Sequence, residues 1–552
     1  MKTEFFGKTI SGPFTIPSGI VSTTGPIIDY VMKNIPEIGV LTTKSIGLPP
    51  RDGYREPVLS QYAKGCFVNA VGLTNPGADK SVEVLGALHI PDDKFLLTSI
   101  FGADAEEFAQ VARMLAPLSD GLELNLSCPH AKGYGMAIGQ DPDLVAEIVR
   151  AVVAVTDIPV IAKLTPNTDK IGVIARAAVD AGAAGICAIN TVGPGYHSAH
   201  GSPVLSNGLG GMSGKGVLPI GLKCVREIRD SVDVPIIGCG GVSSAEDVQA
   251  FTQAGANIVG VGSALVGMTS AAMGDYFTAL STDLTSNCDD AHQGEALVQY
   301  DVDMRFRPVT LVSNEKVCDD IAILRFDRKI DIQAGEFVFL WIPELGEKPF
   351  SALTDDPFAL VVINLGQFTA ALMDLAPGTK AYVRGPHGIP ASPQSDAHMI
   401  TVSGGTGLAA VYQVARDHVA RGQQSGSTAK AEMFVGARSS DRLYFENECR
   451  EFSDLHVATD DGSAGYHGLV TELLRDRLQQ MSQVELAKLE FYNCGPEPMV
   501  HAAEKVQREF CSADKIFNAI DYHTKCGVGI CGACGTPDGR RLCVDGPFIA
   551  AG

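Results

Sequence analysis

From the N-terminus to about residue 268, short apolar runs alternate with stretches whose apolar residues return every third or fourth position. The runs at residues 39–43, 95–100, 121–126, 160–164, 185–189, 234–238 and 258–261 have the length of strands, and segments 105–116, 142–155, 170–181, 219–231 and 244–254 have a helical period. Strand and helix in strict turn is the pattern of a (β/α)8 barrel, with a doubly wound open sheet as the alternative. Polar placement favours the barrel. Lys44, Asn125, Lys163 and Asn190 each close a different candidate strand, on the face where barrel enzymes build their sites. In run 121–126, Leu122, Leu124 and Leu126 alternate with polar residues, and Pro129 cannot extend a central ladder because it lacks an N–H. Cys128 is therefore expected on the loop just past this strand, where a thiol, an amide and an imidazole (Cys128, Asn125, His130) are presented together. A small buried core cysteine is the other reading.

Beyond residue 268 the pattern changes. Residues 271–298 read as the end of a barrel helix and a linker rich in Ala, Ser, Thr and Asp. Short β-type runs at 309–313, 321–326, 337–342, 359–363 and 380–384, punctuated by Gly and Pro, predict a small antiparallel β-barrel over 299–395. A strand at 399–403 then enters Gly404-Gly405-Thr406-Gly407 and a helix at 408–416, and with runs at 431–436 and 489–493 this predicts an open α/β unit over 396–512. Residues 513–552 make a last small cysteine-bearing domain.

At 552 residues the chain exceeds one hydrophobic core. A formal net charge of −21 argues against a nucleic-acid partner, because binding phosphate needs a basic surface. No apolar run is long enough to span a bilayer, and the first residues carry no signal pattern, so a soluble cytoplasmic protein with no membrane partner is expected. The 14 cysteines are scattered except for four near the C-terminus, which in a reducing compartment suggests a catalytic thiol and a metal site rather than disulfides.

Gly238-Cys239-Gly240-Gly241 and Gly260-Val261-Gly262-Ser263 follow consecutive late strands, so their backbone amides could cradle one phosphate, with FMN a natural ligand and bare tight turns the other reading. Lys163 would then face the flavin ring, where a cation stabilises the reduced form. Gly404-Gly405-Thr406-Gly407 places N–H groups at a helix start suited to a pyrophosphate. Cys526, Cys531 and Cys534 follow the C-x4-C-x2-C spacing of plant-type [2Fe-2S] proteins, and Cys543 supplies a fourth thiolate, with zinc as the alternative.

In its first domain the chain resembles the class 1 dihydroorotate dehydrogenases. The resemblance rests on Thr43-Lys44-Ser45, Asn69-Ala70-Val71-Gly72-Leu73, Asn125-Leu126-Ser127-Cys128-Pro129, Ala162-Lys163-Leu164, Asn190-Thr191, Gly210-Gly211-Met212-Ser213-Gly214 and Gly240-Gly241. It implies that Cys128 is the catalytic base. Lys44, Asn69, Val71, Gly72, Leu73, Asn125, Asn190 and Thr191 would then hold the pyrimidine. Ser18, Gly19, Lys44, Asn125, Lys163, Gly214, Gly240, Gly241, Gly262 and Ser263 would bind FMN. His130 stands where the family usually has a further substrate-binding Asn, which leaves room for a related dihydropyrimidine. The loop 193–206, with His197 and His200, reads as a lid.

Lys348-Pro349-Phe350-Ser351 and Arg384-Gly385-Pro386-His387-Gly388 resemble flavin-binding turns of the ferredoxin reductase family, which implies FAD, although Lys348 replaces the usual Arg and turns a bidentate clamp into a point charge. Cys494-Gly495-Pro496 resembles the nicotinamide-facing loop of those reductases and implies NAD(H), with Asp441 near a ribose contact. The C-terminal cysteine segment resembles the electron-transfer subunit of class 1B dihydroorotate dehydrogenases. The implied activity is therefore NAD-dependent oxidation of dihydroorotate, with electrons passing from FMN to [2Fe-2S] to FAD to NAD+, in a homodimer formed through the barrel. Two alternatives stand beside it: an NADH-dependent reductase of uracil, thymine or another enoate, and a non-catalytic electron-transfer flavoprotein.

Overall fold

The computed structural model describes residues 2–126, 136–285, 298, 302–426, 429–520 and 523–551. The chain forms two compact units, Met1–Val302 with Val528–Arg541, and Asp303–Gly527 with Leu542–Gly552.

In the first unit eight parallel strands close into a barrel in the order Gly185–Ala188, Ile236–Cys239, Ile258–Gly260, Phe14–Thr15, Ile38–Thr42, Phe95–Ile100, Gly121–Asn125 and Val160–Lys163. The (β/α)8 reading is correct. Phe14–Thr15 was not expected as a strand, since two residues carry no period to read. Helices Ala105–Leu115, Pro142–Val153, Ile171–Asp180, Leu218–Arg229 and Ala245–Gln253 follow the expected segments. Their starts are set locally. Asp104 accepts from the Glu107 N–H, Asp141 caps a helix opened by Pro142, and Ser244 with Asp247 makes a capping box.

The barrel interior is graded. Val40, Phe95, Leu97, Ile161, Cys187, Ile237, Cys239 and Ile258 pack with Phe5 and Ile10 as an apolar plug. Toward the C-terminal strand ends the buried side chains become polar: Thr15, Thr42, Ser99, Glu123, Asn125 and Lys163. The alternation in Gly121–Asn125 has this meaning, because successive side chains of a strand point to opposite faces.

An antiparallel sheet of Val192–Tyr196, Leu209–Gly214, Cys66–Asn69 and Leu59–Ala63 is inserted between barrel elements. The segment read as a lid loop is thus partly strand, with Ser198–Ala199 paired to Ser202–Pro203 and His197 Nδ1 3.1 Å from Ser60 Oγ.

The second unit opens with a closed antiparallel barrel, in the order Arg307–Cys318, Ile321–Phe326, Phe358–Ile363, Gly346–Asp355, Phe337–Ile342 and Lys380–His387. Gly346–Asp355 was unforeseen as a strand because Gly346, Glu347, Lys348 and Pro349 mask its β pattern. Lys348 to Ser351 therefore lie within a strand and not in a turn, paired to Phe337–Ile342. A seven-stranded sheet follows, in the order Tyr466–His467, Asp454–Thr459, Lys430–Ala437, His398–Gly404, Leu489–Cys494, Ile516–Ala519 and Ile549–Ala550, parallel but for its last pair. Among the described residues no helix is long and apolar enough to cross a membrane.

Candidate functional site

At the C-terminal ends of the barrel strands one hydrogen-bonded network gathers residues from six chain segments. Ser18 Oγ and Ser45 Oγ are 3.0 Å apart, and Ser45 Oγ and Ser99 Oγ 2.9 Å. Asn125 Nδ2 donates to Ser45 Oγ (2.9 Å), and Asn190 Nδ2 donates to Asn125 Oδ1 (3.2 Å). Ser99 Oγ donates to Glu123 Oε1 (2.9 Å), which also faces Lys163 Nζ at 3.3 Å. Asn125, Asn190, Ser18 and Lys163 were expected at one site and are joined here. Ser45, Ser99 and Glu123 were not singled out as site residues. The signal for Glu123 was present: a carboxylate on the inward face of an apolar strand needs a buried partner.

Lys163 is buried, which alone would favour the neutral amine, but the adjacent Glu123 carboxylate outweighs burial and holds its pKa above the ordinary 10.5. The site therefore keeps a cation at neutral pH. Below it, the hydrogen bond that the Cys187 thiol donates to Cys239, together with burial, pushes Cys187 well above its ordinary range, so Cys187 is no nucleophile there.

Lys44 follows Ile38–Thr42 and is half-buried. Asn69 ends Cys66–Asn69 and pairs with Gly211, which sets the Asn69–Leu73 motif beside the Gly210–Gly214 motif. Gly72 and Leu73 have φ of 83° and 58°, and the Val71 carbonyl accepts from the Tyr54 N–H (3.0 Å). Asn190 Oδ1 accepts from the Thr191 N–H (2.8 Å). Gly240 and Gly241 follow Ile236–Cys239, and a Cβ at Gly241 would come within 2.6 Å of the Gly214 carbonyl oxygen. Gly214 and Gly241 are thus held backbone to backbone. Gly262 precedes the short turn Ser263–Leu265 after Ile258–Gly260, and Gly19 takes φ of 85° beside Ser18. Cys128 and His130 lie outside the described residues.

In the second unit the Gly404–Gly407 turn joins His398–Gly404 to helix Gly407–Ser425. A Cβ at Gly407 would lie 2.0 Å from the Cys494 carbonyl oxygen, and one at Gly495 3.0 Å from the Gly404 N. The two motifs assigned to one dinucleotide are therefore in contact. Buried Tyr444 donates its hydroxyl to the Gly405 carbonyl (2.8 Å) and fixes that turn. Lys348, Phe350 and Ser351 are partly exposed on the small barrel, with Phe350 packed against its core. Gly385 has φ of 109°, but Arg384 beside it is fully buried, so its side chain is not offered to a flavin.

Cys526, Cys531, Cys534 and Cys543 are all buried. Gly527, Gly529 and Gly532 take φ of 77°, 75° and 64°, the left-handed turns that let a loop fold tightly. Among the described residues no three His, Cys, Asp or Glu side chains gather around a point where one ion could sit. A two-iron cluster asks only two protein thiolates of each iron, so this does not bear against one.

The comparisons follow this division. A family model described as dihydroorotate dehydrogenase matches residues 1–274, and one described as oxidoreductase NAD-binding domain matches residues 401–505. The NAD(+)-dependent dihydroorotate dehydrogenase B catalytic subunit of Methanocaldococcus jannaschii is 43% identical over 267 residues, which is 48% of this chain and 86% of that protein. The chain belongs to the dihydroorotate dehydrogenase family. A second dihydroorotate dehydrogenase B catalytic subunit, from Pyrococcus furiosus, is 44% identical over 266 residues, 48% of this chain and 87% of its own. One solved structure, from work on flavin-based electron bifurcation in the NADH-dependent reduced ferredoxin-NADP oxidoreductase, covers 44% of this chain and 88% of its own at 24% identity, with a TM-score of 0.39. This dihydroorotate dehydrogenase family member is an oxidoreductase whose matched first region encloses every barrel site residue described above. Its second match encloses the Gly404–Gly407 turn and Cys494–Gly495.

Proposed function

We propose that the chain oxidises dihydroorotate to orotate, a step of de novo pyrimidine (UMP) synthesis, and delivers the electrons to NAD+ through FMN, a [2Fe-2S] cluster and FAD. The observation that carries this reading is the joining of Ser18, Ser45, Asn125 and Asn190 with the Glu123–Lys163 pair at the strand ends, inside the region that matches the family.

The residues fit the implied groups. A buried cation at Lys163, close backbone approach at Gly214 and Gly241, and the Gly262–Ser263 turn suit a flavin with one phosphate. The contacting Gly404–Gly407 and Cys494–Gly495 loops suit a dinucleotide, and the C-x4-C-x2-C spacing of Cys526, Cys531 and Cys534, with Cys543 as a fourth thiolate, suits a cluster. When bound, these groups supply hydride acceptance from the ring, single-electron transfer, and hydride delivery to nicotinamide.

Cys128 takes the acidified proton beside the substrate carbonyl. A free thiol has a pKa of about 8.5, so Cys128 acts either through a minor thiolate fraction or with its pKa tuned downward. Asn125 and Asn190 already donate and accept between themselves, so their amides are oriented before substrate arrives, with Asn69 and Thr191 completing the polar rim. Lys44 offers a cation to the carboxylate. Lys163 is held charged by Glu123 and favours negative charge developing beside it. Residues 1–270 would carry FMN, 299–395 FAD, 396–512 NAD(H) and 513–552 the cluster. Dimerisation through the barrel and a cytoplasmic setting belong to the same proposal, by likeness to the family.

The test is anaerobic. Dihydroorotate added to purified protein should bleach the flavin spectrum, and NAD+ should restore it. Bleaching by dihydrouracil but not by dihydroorotate would replace this substrate.

A further inference from the structure

Arg384 lies in the small barrel of the second unit and has no solvent-exposed surface. Its Nε and Nη2 donate to the two Glu347 oxygens at 2.9 and 2.8 Å, a bidentate pair closed to water. Its Nη1 donates to the Cys526 carbonyl at 3.0 Å and stands 3.1 Å from His387 Nε2. A guanidinium can only donate, so Nε2 is the accepting nitrogen of that ring. Phe339 lies under the group, 3.9 Å from Cζ to ring centroid, and a Cβ at Gly527 would meet Phe339 Cε2 at 2.6 Å and Arg384 Nη1 at 3.3 Å. The Cys526–Gly527 peptide is therefore laid against a buried ion pair.

We propose that Arg384, oriented by Glu347, is a positioning residue for the iron–sulfur centre: it fixes the peptide plane after the first cluster cysteine and helps set the potential of the cluster. The inference rests on the reading of Cys526 as a cluster ligand. A planar trans peptide points its C=O and N–H in opposite directions, so holding the carbonyl also fixes where the Gly527 N–H is aimed. Hydrogen bonds and net charge around sulfur are the means by which a protein sets a cluster's potential. A buried ion pair adds little stability over an apolar core, whereas removing one partner exposes the full charge of the other. Here the pair is neutral as a whole, so each single neutralisation should act on the cluster with its own sign.

The experiment compares wild type, R384K, R384Q, E347Q and R384Q/E347Q as full-length holoprotein, using iron and FAD content, EPR of the reduced cluster and a spectroelectrochemical titration. E347Q leaves an uncompensated cation and should raise the cluster midpoint potential. R384Q leaves a carboxylate without its cation and a shorter amide that cannot hold Glu347 and the Cys526 carbonyl together, and should lower it. The double variant should fall between them, and R384K should keep a near-wild-type potential with an altered EPR line shape. If R384Q loses iron while retaining FAD, and R384K restores the iron, that result also supports the clamp. Unchanged potentials and line shapes in every variant, or shifts of one sign in both single variants, would overturn it while leaving the cluster reading intact. A wild-type protein with no [2Fe-2S] EPR signal would overturn the cluster reading and this inference with it.

Discussion

Lys163 and Glu123 sit with 5% and 2% of their side chains exposed, so neither charge can lean on water if its partner is lost. Glu123→Gln is expected to destabilise the protein by about 3–5 kcal/mol, read as a lower denaturation midpoint, with part of the loss recovered in a Lys163→Met/Glu123→Gln double variant. For Cys128, replacement by Ser should cut dihydroorotate oxidation by about 10²–10⁴-fold, the range for loss of a positioned base. Reduction of an artificial dye by NADH should be untouched. Steady-state assays of the two half-reactions on one preparation decide it, and equal loss of both would sink the assignment. At single positions the sequence revealed residues whose chemistry stands out against a strand end, such as Asn125, Lys163 and Asn190. It concealed Ser45 and Ser99, which are ordinary as residue types and acquire their role only when neighbouring barrel strands bring their hydroxyls within 2.9 Å.

Helix Gly407–Ser425 illustrates why a propensity argument can reverse in context. Alanine is ordinarily better than glycine in a helix by about 1 kcal/mol, yet at Gly407 the added methyl would strike the Cys494 carbonyl. Gly407→Ala should therefore destabilise by about 1–3 kcal/mol and raise the KM for NADH, as measured by thermal unfolding and NADH–dye kinetics. In the same sheet, Glu432 on Lys430–Ala437 accepts from Arg477 at 2.7 and 2.8 Å and lies 3.0 and 3.1 Å from His398 and His456. Burial opposes its charge, but these partners outweigh burial and hold the carboxyl well below its ordinary 4.5. A depressed folded pKa contributes stability that is present above 4.5 and is given up as pH falls through the folded value. Acid unfolding of the wild type should thus show a loss below about pH 4 that Glu432→Gln lacks, the variant being less stable at pH 7. Long periodic elements were legible in the chain. Phe14–Thr15 was too short to be read, and Gly346–Asp355 was hidden because closure of a barrel, rather than its own composition, makes it a strand.

Taken as one molecule, the two matched regions are proposed to carry separable chemistry, and coupling is what the cysteine segment is proposed to add. Cys531→Ser should leave anaerobic flavin bleaching by dihydroorotate and dye reduction by NADH in place, while orotate formation at the expense of NAD+ falls to background. Stopped-flow absorbance on the full chain separates the three signals. The order of folds was readable because each has its own rhythm of apolar residues. That the last segment returns to the first unit was not, since no local pattern encodes a partner several hundred residues away.

That return has a practical consequence for anyone dissecting the protein. Val21 and Gly267 donate their backbone N–H groups to the carbonyls of Ile530 and Val528, and Arg541 reaches both Met268 and Gly529. A fragment ending at Val302 would leave those donors and the Met268 carbonyl without their native acceptors and donor. Expressed alone it should be poorly soluble, and supplying residues 528–541 as a peptide, or grafting them onto its C-terminus, should rescue the yield.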